Sequence, residues 1–582
     1  MSDYNYKDVY EQWVNNPLFG QETKDELLAI KDDEKEIEER FYCDLVFGTA
    51  GLRGIIGAGT NRMNIYVVRK ATQGLANYII KAGKQDKGVA IAYDSRRMSP
   101  EFSMEAALCL AANGIKAYRF ESLRPTPELS FAVRYLDCVA GINVTASHNP
   151  PEYNGYKVYW EDGAQITPPH DQGIMAEVKA ITDFADTKTM DMEAKKKGLL
   201  VTIGSEVDDA YMGELKKLIL NQDAIDKYGK DLKIVYTPLH GTGNIPVRRI
   251  LKEIGFENVY VVPEQELPDG EFPTVEYPNP EAKEAFTLAL KLAKEVDADL
   301  VLATDPDADR LGCYAKDSKT GEYKVFTGNM SGSLLCEYEV SQMKEKNGSL
   351  PADGAIIKTI VTTNMVDAIA KYYGTDLIEC FTGFKNIGRE ILRFEQTGKG
   401  TYLFGFEESY GCLIGTHARD KDAVVATMAL CEAAAYYRGQ GKTLWDAMMD
   451  MYEKYGYYVD DIKTVTLKGV EGSKKIGHIM NILRANVPEE VAGYKTRVVR
   501  DYRLEYIRNI ETGEVKPTGF PNANVLYYEL ENDAWLAVRP SGTEPKIKFY
   551  YGIKGSSYDE AQKESAAFGD KVMDLIYDIL EK

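Results

Sequence analysis

Short apolar runs alternate along most of the chain with stretches in which apolar residues recur at helical spacing. The apolar runs that predict strands lie at residues 88–94, 139–144, 233–236, 300–303, 355–360 and 402–404, and helical patterns lie at residues 100–112 and 281–296. Because strands and helices follow one another in turn, the pattern predicts α/β architecture. In open parallel sheets ligands bind at the carboxyl ends of strands, so the loops after these strands are the first place to look for chemistry.

Two regions depart from this alternation. The first forty residues are polar, acidic and helix-prone, and residues beyond 452 predict a mainly antiparallel sheet. Its strands are expected at 498–509, 524–530, 535–538 and 546–551, with flanking helices at 472–485 and 557–580. Polar or charged stretches predict a division into residues 1–205, 206–325, 326–452 and 453–582.

Composition excludes several classes of protein. At roughly 100–200 residues per domain, the 582 residues correspond to about three to five domains. Hydrophobic residues make up 44% of the chain and charged residues 27%, which is typical of a soluble globular protein. With 70 basic and 90 acidic side chains the formal net charge is −20, so nucleic acid is not an expected partner. A small anionic substrate is still possible, because it responds to the local field of a cleft.

The cysteines and the longest apolar stretch indicate the compartment. Eight cysteines without a CxxC motif lie among apolar neighbours, which predicts reduced, buried thiols. The first residues contain no apolar run of the signal-peptide kind, and the stretch at 423–437 is interrupted by Glu432 and too short to span a bilayer. We therefore expect a cytoplasmic protein with no membrane partner.

The first loop of interest runs from Asn143 to Pro151, directly after a predicted strand. Ser147 lies where the strand ends, among small and polar residues, and a double proline follows it. Such a loop can present a hydroxyl group as a nucleophile or a phosphate carrier, although an ordinary strand-to-turn loop is the alternative. A serine–histidine–acid triad is not favoured, because His148 is adjacent in sequence.

The second loop carries three aspartates at alternate positions, Asp305, Asp307 and Asp309. Three carboxylates so close together repel one another, and a hard divalent cation offsets that repulsion. An EF-hand also begins with alternating aspartates, but Arg310 stands where its glycine should be and Lys316 where its glutamate should be. The loop therefore predicts a Mg²⁺ site completed by ligands from elsewhere.

Two further loops offer ligands for a phosphorylated sugar. In the turn from Gly405 to Gly411, Glu407 and Ser409 form a pair that can recognise vicinal hydroxyl groups, although a plain surface turn is the favoured interpretation without context. The loop between two predicted strands from residue 539 to 545 combines a guanidinium group, two hydroxyl groups and a glycine, which together predict a phosphate cradle. The cradle residues are Arg539, Ser541, Gly542 and Thr543.

Taken in order, these loops resemble those of the α-D-phosphohexomutase superfamily over nearly the whole chain. The matching motifs are FGTAGLRG at 47–54, TASHNP at 145–150, NGYKV at 154–158, DPDADR at 305–310, EES at 407–409 and RPSGTEPK at 539–546. The details are similar to those of the long phosphoglucomutase and phosphopentomutase branch. Tyr410 and Gly411 depart from the sugar motif in which glycine and histidine follow the serine. The resemblance implies three related α/β domains and a smaller C-terminal α+β domain around a central cleft.

The resemblance also implies a role for each matching residue. Ser147 would carry the transferable phosphoryl group as phosphoserine, and Asp305, Asp307 and Asp309 would hold Mg²⁺ together with it. Arg53, His148 and Lys157 would line the reacting phosphate, with Lys157 as general base if its pKa is lowered. The expected substrate-binding residues are Arg310, Lys385, Glu407, Ser409, Arg539, Ser541, Gly542 and Thr543.

The implied activity is the interconversion of glucose 1-phosphate and glucose 6-phosphate through glucose 1,6-bisphosphate. Activity on ribose, deoxyribose or mannose phosphates is the alternative within the class, and a Mg²⁺-dependent sugar phosphatase is the alternative outside it. The expected partner is a small sugar phosphate, and the chain is expected to be a monomer or a dimer.

Overall fold

The computed structural model describes residues 5–45, 51–467, 469–541 and 546–581. Its N-terminal helices are α1 (Tyr6–Asn15), α2 (Gln21–Ala29) and α3 (Glu34–Phe41). They enclose a small aromatic cluster in which Trp13, Phe19 and Phe41 are buried against Tyr66 of the following domain. The helix-prone character predicted for the first forty residues is therefore confirmed, and these helices pack on the first sheet domain.

The first sheet domain contains six strands in the order β1-β5-β4-β2-β3-β6. Strands β2, β3, β4 and β6 run parallel, and β5 pairs antiparallel with both β4 and β1. Its elements are β1 (Leu52–Ile55), α4 (Ile65–Lys81), β2 (Val89–Tyr93), α5 (Ser99–Ala112), β3 (Ala117–Phe120), α6 (Thr126–Tyr135), β4 (Ala140–Val144), β5 (Tyr153–Trp160), α7 (His170–Ala180), α8 (Glu193–Lys196) and β6 (Leu200–Ile203). Helices cover both faces, so the central strands are buried on both sides as parallel sheets require.

The second sheet domain has the strand order β11-β10-β9-β7-β8. Strands β7, β8 and β9 are parallel, whereas β10 returns antiparallel beside β9. Its elements are α9 (Ser205–Lys216), α10 (Gln222–Tyr228), β7 (Lys233–Thr237), α11 (Asn244–Ile254), β8 (Asn258–Val261), α12 (Pro263–Glu266), α13 (Thr287–Val296), β9 (Leu300–Thr304), β10 (Leu311–Lys316) and β11 (Tyr323–Phe326). The single helix predicted at 281–296 is wrong in its first turns, because Lys283–Phe286 form a 3₁₀ turn before α13 begins.

The third sheet domain repeats the plan with four strands in the order β13-β12-β14-β15. Strands β12, β13 and β14 are parallel and β15 is antiparallel to β14. Its elements are α14 (Gly328–Asn347), β12 (Gly354–Thr359), α15 (Met365–Tyr373), β13 (Asp376–Cys380), α16 (Lys385–Thr397), β14 (Thr401–Glu407), β15 (Gly411–Leu413), α17 (Ala423–Arg438) and α18 (Leu444–Tyr455).

The C-terminal domain is built on a mainly antiparallel sheet, as predicted. Its elements are β16 (Tyr457–Thr466), α19 (Gly469–Ala485), β17 (Glu490–Val491), β18 (Tyr494–Asp501), β19 (Tyr506–Asn509), β20 (Val515–Pro517), β21 (Leu526–Leu530), β22 (Trp535–Pro540), β23 (Lys546–Gly555) and α20 (Tyr558–Glu581). The single strand predicted at 498–509 is wrong, because a turn containing Glu505 at φ +59° divides it into β18 and β19. Together the four sheets confirm the predicted class of three related α/β domains and a smaller α+β domain.

One large apolar cluster joins the first three domains, and the C-terminal domain has a core of its own. A separate cluster, which includes Ile360, Val361, Tyr502 and Trp535, fills the boundary between the third and fourth domains. The predicted burial of the thiols is confirmed for seven of the eight cysteines, and Cys43 is partly exposed. Among the described residues, no helix is both long enough and apolar enough to cross a membrane.

The repeated plan determines where the loops of interest lie. In each of the three α/β domains a parallel strand is followed by an antiparallel one: β4 by β5, β9 by β10 and β14 by β15. The three turns between these pairs hold Ser147, the three aspartates and the Glu407–Ser409 segment, respectively. Each of the three domains therefore has one equivalent turn at the carboxyl end of a strand, where functional side chains were predicted.

Candidate active site

Ser147 occupies the turn between β4 and β5 with its backbone in the left-handed region, at φ +54°. The Thr145 hydroxyl accepts a hydrogen bond from the Ser147 amide at 2.8 Å and stabilises this turn. The Ser147 hydroxyl is almost fully buried and donates to Asp305 Oδ2 at 2.9 Å, across the boundary between the first and second domains. The predicted nucleophile and the predicted metal loop are therefore in direct contact.

The three aspartates form a buried cluster in which one ligand atom from each lies within 4.8 Å of the others. Backbone amides of Asp309 and Arg310 donate to Asp305 Oδ1, each at 3.1 Å. Among the described residues, Oδ1 of Asp307 and Oδ1 of Asp309 are buried without a hydrogen-bond partner. Buried carboxylate oxygens without partners, held close together, suit a hard divalent cation, so these residues fit a metal.

The charges of this cluster are distributed unevenly. Burial, reinforced by the neighbouring carboxylates of Asp307 and Asp309, raises the pKa of Asp305 well above its ordinary value. Burial would also raise the pKa of Asp307, but the Lys157 ammonium group outweighs it and holds that pKa below its ordinary value. The lysines around the cluster therefore decide which carboxylate is charged most easily.

Two lysines contact the aspartates. Lys157, on β5, lies 2.8 Å from Asp307 Oδ2 and 3.7 Å from Asp309 Oδ2. Lys421, from the third domain, lies 3.1 Å from Asp309 Oδ2 and was not singled out by sequence reasoning. Burial lowers the pKa of Lys157, but the carboxylates of Asp307 and Asp309 outweigh burial, so the net shift is upward. The lowered pKa that a general base would need is therefore not produced by the protein groups around Lys157.

His148 and Arg53 lie beside the serine, as predicted. His148 Nδ1 is 3.1 Å from the Ser147 hydroxyl oxygen, and burial together with the Arg310 guanidinium charge lowers the pKa of His148 well below its ordinary value. Arg53, on β1, donates to Asn149 Oδ1 of the serine loop at 2.9 Å. Residues 47–50 of the motif that contains Arg53 lie outside the described residues.

Thr126 is a second residue that sequence reasoning missed. It begins α6, its hydroxyl donates to Asp307 Oδ2 at 2.7 Å, and its amide donates to the Asp307 carbonyl at 2.9 Å. Asn143 in turn donates to the Thr126 hydroxyl at 2.6 Å. Thr126 follows β3 by a few residues, so the only signal in the sequence was again a polar residue after a strand.

The sugar-binding candidates of the third domain lie at the end of β14, in the turn after it and at the start of α16. Glu407 is buried and its Oε1 accepts from the Gly383 amide at 2.6 Å, which joins this turn to the segment before Lys385. Burial raises the pKa of Glu407 to about 7, against the opposing charge of Lys421. Ser409 and Lys385 are half-buried.

Arg310, which was predicted to bind substrate, is already paired with a carboxylate of the protein. Its Nη1 forms an ion pair with Glu281, a residue from the loop before α13. Both the Arg310 Nε atom and the Asp309 Oδ1 atom near it are buried without hydrogen-bond partners among the described residues. The predicted substrate-binding arginine therefore lies beside the metal loop with part of its donor capacity unused.

The fourth domain approaches with the hairpin of β22 and β23. Arg539 lies on β22 directly opposite Lys548 on β23, a lysine that sequence reasoning did not single out. Lys548 is within electrostatic reach of Glu408, Arg310 and Arg539, so this hairpin faces the sugar loop and the metal loop. Ser541 is described and half-buried, whereas Gly542 and Thr543 lie outside the described residues.

Comparison with known proteins agrees with this geometry. Models of the phosphoglucomutase/phosphomannomutase α/β/α domains I, II and III match residues 44–184, 209–320 and 327–455. A phosphoglucomutase from Staphylococcus aureus (strain USA300) is 37% identical over 540 residues, which are 92% of this chain and 95% of that protein.

Two solved structures share the fold. A candidate phosphomannomutase from Thermus thermophilus has a TM-score of 0.68 at 21% identity and covers 92% of this chain and 99% of its own. The open form of parafusin, a phosphoglucomutase from Paramecium, has a TM-score of 0.67 at 18% identity and covers 93% of this chain and 95% of its own.

The fold and the site together define a phosphohexomutase, an isomerase that moves a phosphoryl group within its substrate. The chain belongs to the phosphoglucomutase/phosphomannomutase family. The predicted superfamily and enzyme class are thereby confirmed, and the relatives bear the name that matches the predicted activity.

Proposed function

We propose that this protein is a phosphoglucomutase that interconverts glucose 1-phosphate and glucose 6-phosphate. The observation that carries the proposal is the contact between the Ser147 hydroxyl and Asp305 inside the buried aspartate cluster. A phosphatase also needs a nucleophile beside a metal loop. It does not need a second phosphate-binding surface, which is the role that we assign to Arg539 and Lys548, paired across β22 and β23 on the fourth domain.

In the proposed reaction Ser147 carries a phosphoryl group. The free hydroxyl of the bound sugar phosphate attacks phosphorus, the bond from phosphorus to Ser147 Oγ breaks, and glucose 1,6-bisphosphate forms. The proton of the attacking hydroxyl is transferred to Ser147 Oγ, the leaving oxygen. The bisphosphate then reorients in the cleft and returns its other phosphoryl group to Ser147.

The protein groups divide the remaining work. Arg53, His148 and Lys157 line the reacting phosphate. In the unphosphorylated protein, burial and the Arg310 charge lower the pKa of His148. Glu407, Ser409 and Lys385 bind the sugar. Arg310 also binds the substrate. The phosphate that is not reacting is held by the cradle of the fourth domain, which consists of Arg539, Ser541, Gly542 and Thr543. Phosphoryl transfer depends mostly on positioning and charge neutralisation, which this set of cations and hydroxyl groups supplies.

We further propose that Asp305, Asp307 and Asp309 hold Mg²⁺ together with phosphorylated Ser147. When bound there, Mg²⁺ supplies positive charge that offsets the phosphoserine and its neighbouring carboxylates. We also propose that the four domains divide at residues 205, 325 and 452 and that the protein is cytoplasmic.

The test is a comparison of kcat/KM for glucose 1-phosphate, mannose 1-phosphate and ribose 1-phosphate with Mg²⁺ and catalytic glucose 1,6-bisphosphate. We expect glucose 1-phosphate to have the highest value and EDTA to abolish turnover until Mg²⁺ is restored. A higher value for mannose or ribose 1-phosphate would reassign the sugar. Release of inorganic phosphate without an isomeric product would identify a phosphatase, and full activity after exhaustive chelation would remove the metal from the mechanism.

A further inference from the structure

Arg96 lies behind the serine loop, in the turn between β2 and α5, with no exposed side-chain surface. All four hydrogens on its two terminal nitrogens can be assigned to backbone carbonyls of one loop. Nη1 donates to the carbonyls of Pro150 at 2.9 Å and Tyr153 at 3.1 Å, and Nη2 donates to those of Ser147 at 2.5 Å and Asn149. One side chain therefore binds the serine loop along its whole length.

These contacts matter because the loop has little regular structure of its own. Ser147 is in the left-handed region, and buried carbonyl groups without donors are costly. A guanidinium group offers planar, fixed donors that can bind several carbonyls at once, whereas an ammonium group offers three donors from a single atom. Lysine could keep the charge at this position, but it could not reproduce the four contacts.

Arg96 is itself held from behind by Asp94. The Nε atom of Arg96 lies 3.4 Å from Asp94 Oδ2, and both side chains are fully buried. Asp94 Oδ1 also accepts from the Arg96 amide at 3.0 Å and from the Ser99 hydroxyl at 2.8 Å. Asp94 thus holds the Arg96 backbone by a hydrogen bond and forms an ion pair with the guanidinium group.

The second domain also contacts this guanidinium group. The ring centre of Phe272 lies 5.0 Å from Arg96 Cζ, a cation–π contact. Gly270, in the same loop, packs so closely that a Cβ atom there would lie 2.6 Å from the Arg97 amide nitrogen. Arg96 therefore lies where the domain of Ser147 meets the domain of the three aspartates.

We propose that Arg96 is a positioning residue that holds the Ser147 loop against the metal loop for phosphoryl transfer. Arg96 touches no reacting atom and acts through the backbone of Ser147 and its neighbours. The inference rests on the proposed role of Ser147 as phosphoryl carrier. Its loss should slow transfer while leaving sugar-phosphate binding nearly unchanged, because the sugar and the second phosphate are bound by the third and fourth domains.

The test compares Arg96→Lys with the matched control Arg69→Met. Arg69 is also mostly buried, pairs with Glu105 at 2.5 Å and lies 5.8 Å from the Tyr66 ring centre, but its guanidinium group forms no bond to the serine loop. The measurements are melting temperature, kcat, KM, and the rate at which glucose 1,6-bisphosphate phosphorylates Ser147, followed by intact mass. We expect kcat and the phosphorylation rate of Arg96→Lys to fall about 100-fold with KM within about threefold, since small misplacements of reacting groups have effects of this size.

The control should keep both rates within about twofold of wild type, even if its melting temperature falls. If folded Arg96→Lys keeps wild-type rates, or if Arg69→Met loses as much, Arg96 has no positioning role. If Arg96→Lys does not fold, Asp94→Asn is measured instead. It keeps the guanidinium group but loosens its support, and we expect a loss of about tenfold in kcat; unchanged kcat would overturn the inference. If the wild-type chain has no mutase activity, the proposed function is rejected, and this inference is rejected with it.

Discussion

At Ser147 a left-handed backbone, a buried hydroxyl and a contact to Asp305 occur in a single residue. Ser147→Ala removes the proposed covalent carrier but only one oxygen atom, so the fold should persist. We expect turnover to fall by roughly a thousandfold or more, as when other covalent nucleophiles are removed. The comparison is with Ser103→Ala, a buried serine of α5 whose hydroxyl donates to the Pro100 carbonyl. Near-normal turnover in folded Ser147→Ala would reject the phosphoserine mechanism.

Arg539→Ala tests the proposed second phosphate site. Charge-assisted bidentate contacts to phosphate are worth about 1.5–3 kcal/mol, so Arg539→Ala should weaken binding of both glucose monophosphates and of the bisphosphate roughly ten- to a hundredfold. More bisphosphate should escape, and unphosphorylated enzyme should accumulate until glucose 1,6-bisphosphate is added.

Calorimetric titration beside a melting curve measures the effect of Arg539→Ala. Arg503→Ala, an exposed arginine of the same domain, should leave affinity unchanged. If Arg539→Ala lowers only the melting temperature and binds all three ligands normally, the arginine is structural and the cradle must be removed from the mechanism.

Residues that share a motif were easier to predict than residues that meet through folding. Asp305, Asp307 and Asp309 alternate in one loop, so their common site is visible in the sequence. Thr126 contacts Asp307 from 181 positions away and Lys421 reaches Asp309 from another domain, and neither proximity has a local signature. Lys548 was missed for the same reason, since its relation to Arg539 depends on the register of β22 with β23.

At the scale of elements, strands with strong apolar runs were predicted closely, and errors occurred where a single turn interrupts a run. β16 was not predicted, because its positions alternate irregularly between exposed and buried and give no apolar strand pattern. Its extended conformation is stabilised by ten-residue pairing with β23, which the sequence does not reveal. The equivalent turns after β4, β9 and β14 became visible only when the three sheets could be compared.

The turn between β14 and β15 depends on the small size of Gly411. A Cβ atom at this position would lie 2.0 Å from Lys421 Cδ, so Gly411→Ala must displace the side chain that contacts Asp309. We expect kcat to fall about tenfold or more in a folded protein, because the charge balance of the metal loop changes. The steady-state kcat of the purified variant checks this.

The matched control for Gly411→Ala is Gly213→Ala, in the middle of α9. A Cβ atom there has open space around it, and alanine is favoured over glycine in a helix by about 0.5–1 kcal/mol. This variant should keep its kcat and melt slightly higher. If Gly411→Ala also keeps its kcat, the position of Lys421 is not important for turnover.

At the scale of the whole molecule, the boundary between the third and fourth domains contains a half-buried acid. Asp460, on β16, faces Thr363, Lys358 and Asp367 of the third domain and Trp535 of its own, and burial raises its pKa to about 6. An acid with a raised pKa in the folded state stabilises folding fully only below its unfolded pKa, near 4. That stability is lost as the pH rises to about 6.

Asp460→Asn should therefore be more stable than wild type above pH 6, on the order of 1–3 kcal/mol, and the difference should shrink as the pH falls towards 4. Thermal melts between pH 4.5 and 8 measure it. The control is Asp461→Asn, which removes the same charge at the next and exposed position of β16. A difference between Asp460→Asn and wild type that does not vary with pH would show that this carboxyl group does not titrate on unfolding.

The distribution of one site over four domains has a consequence for how the protein is made. Ser147 is synthesised before the aspartates, Glu407 follows them, and Arg539 comes last of these residues. A ribosome-bound chain can fold its first three sheet domains while it still lacks the fourth domain, which carries Arg539. Catalysis should therefore begin only after the fourth domain has been synthesised, so chains terminated before it would be inactive even when their first three domains are well folded.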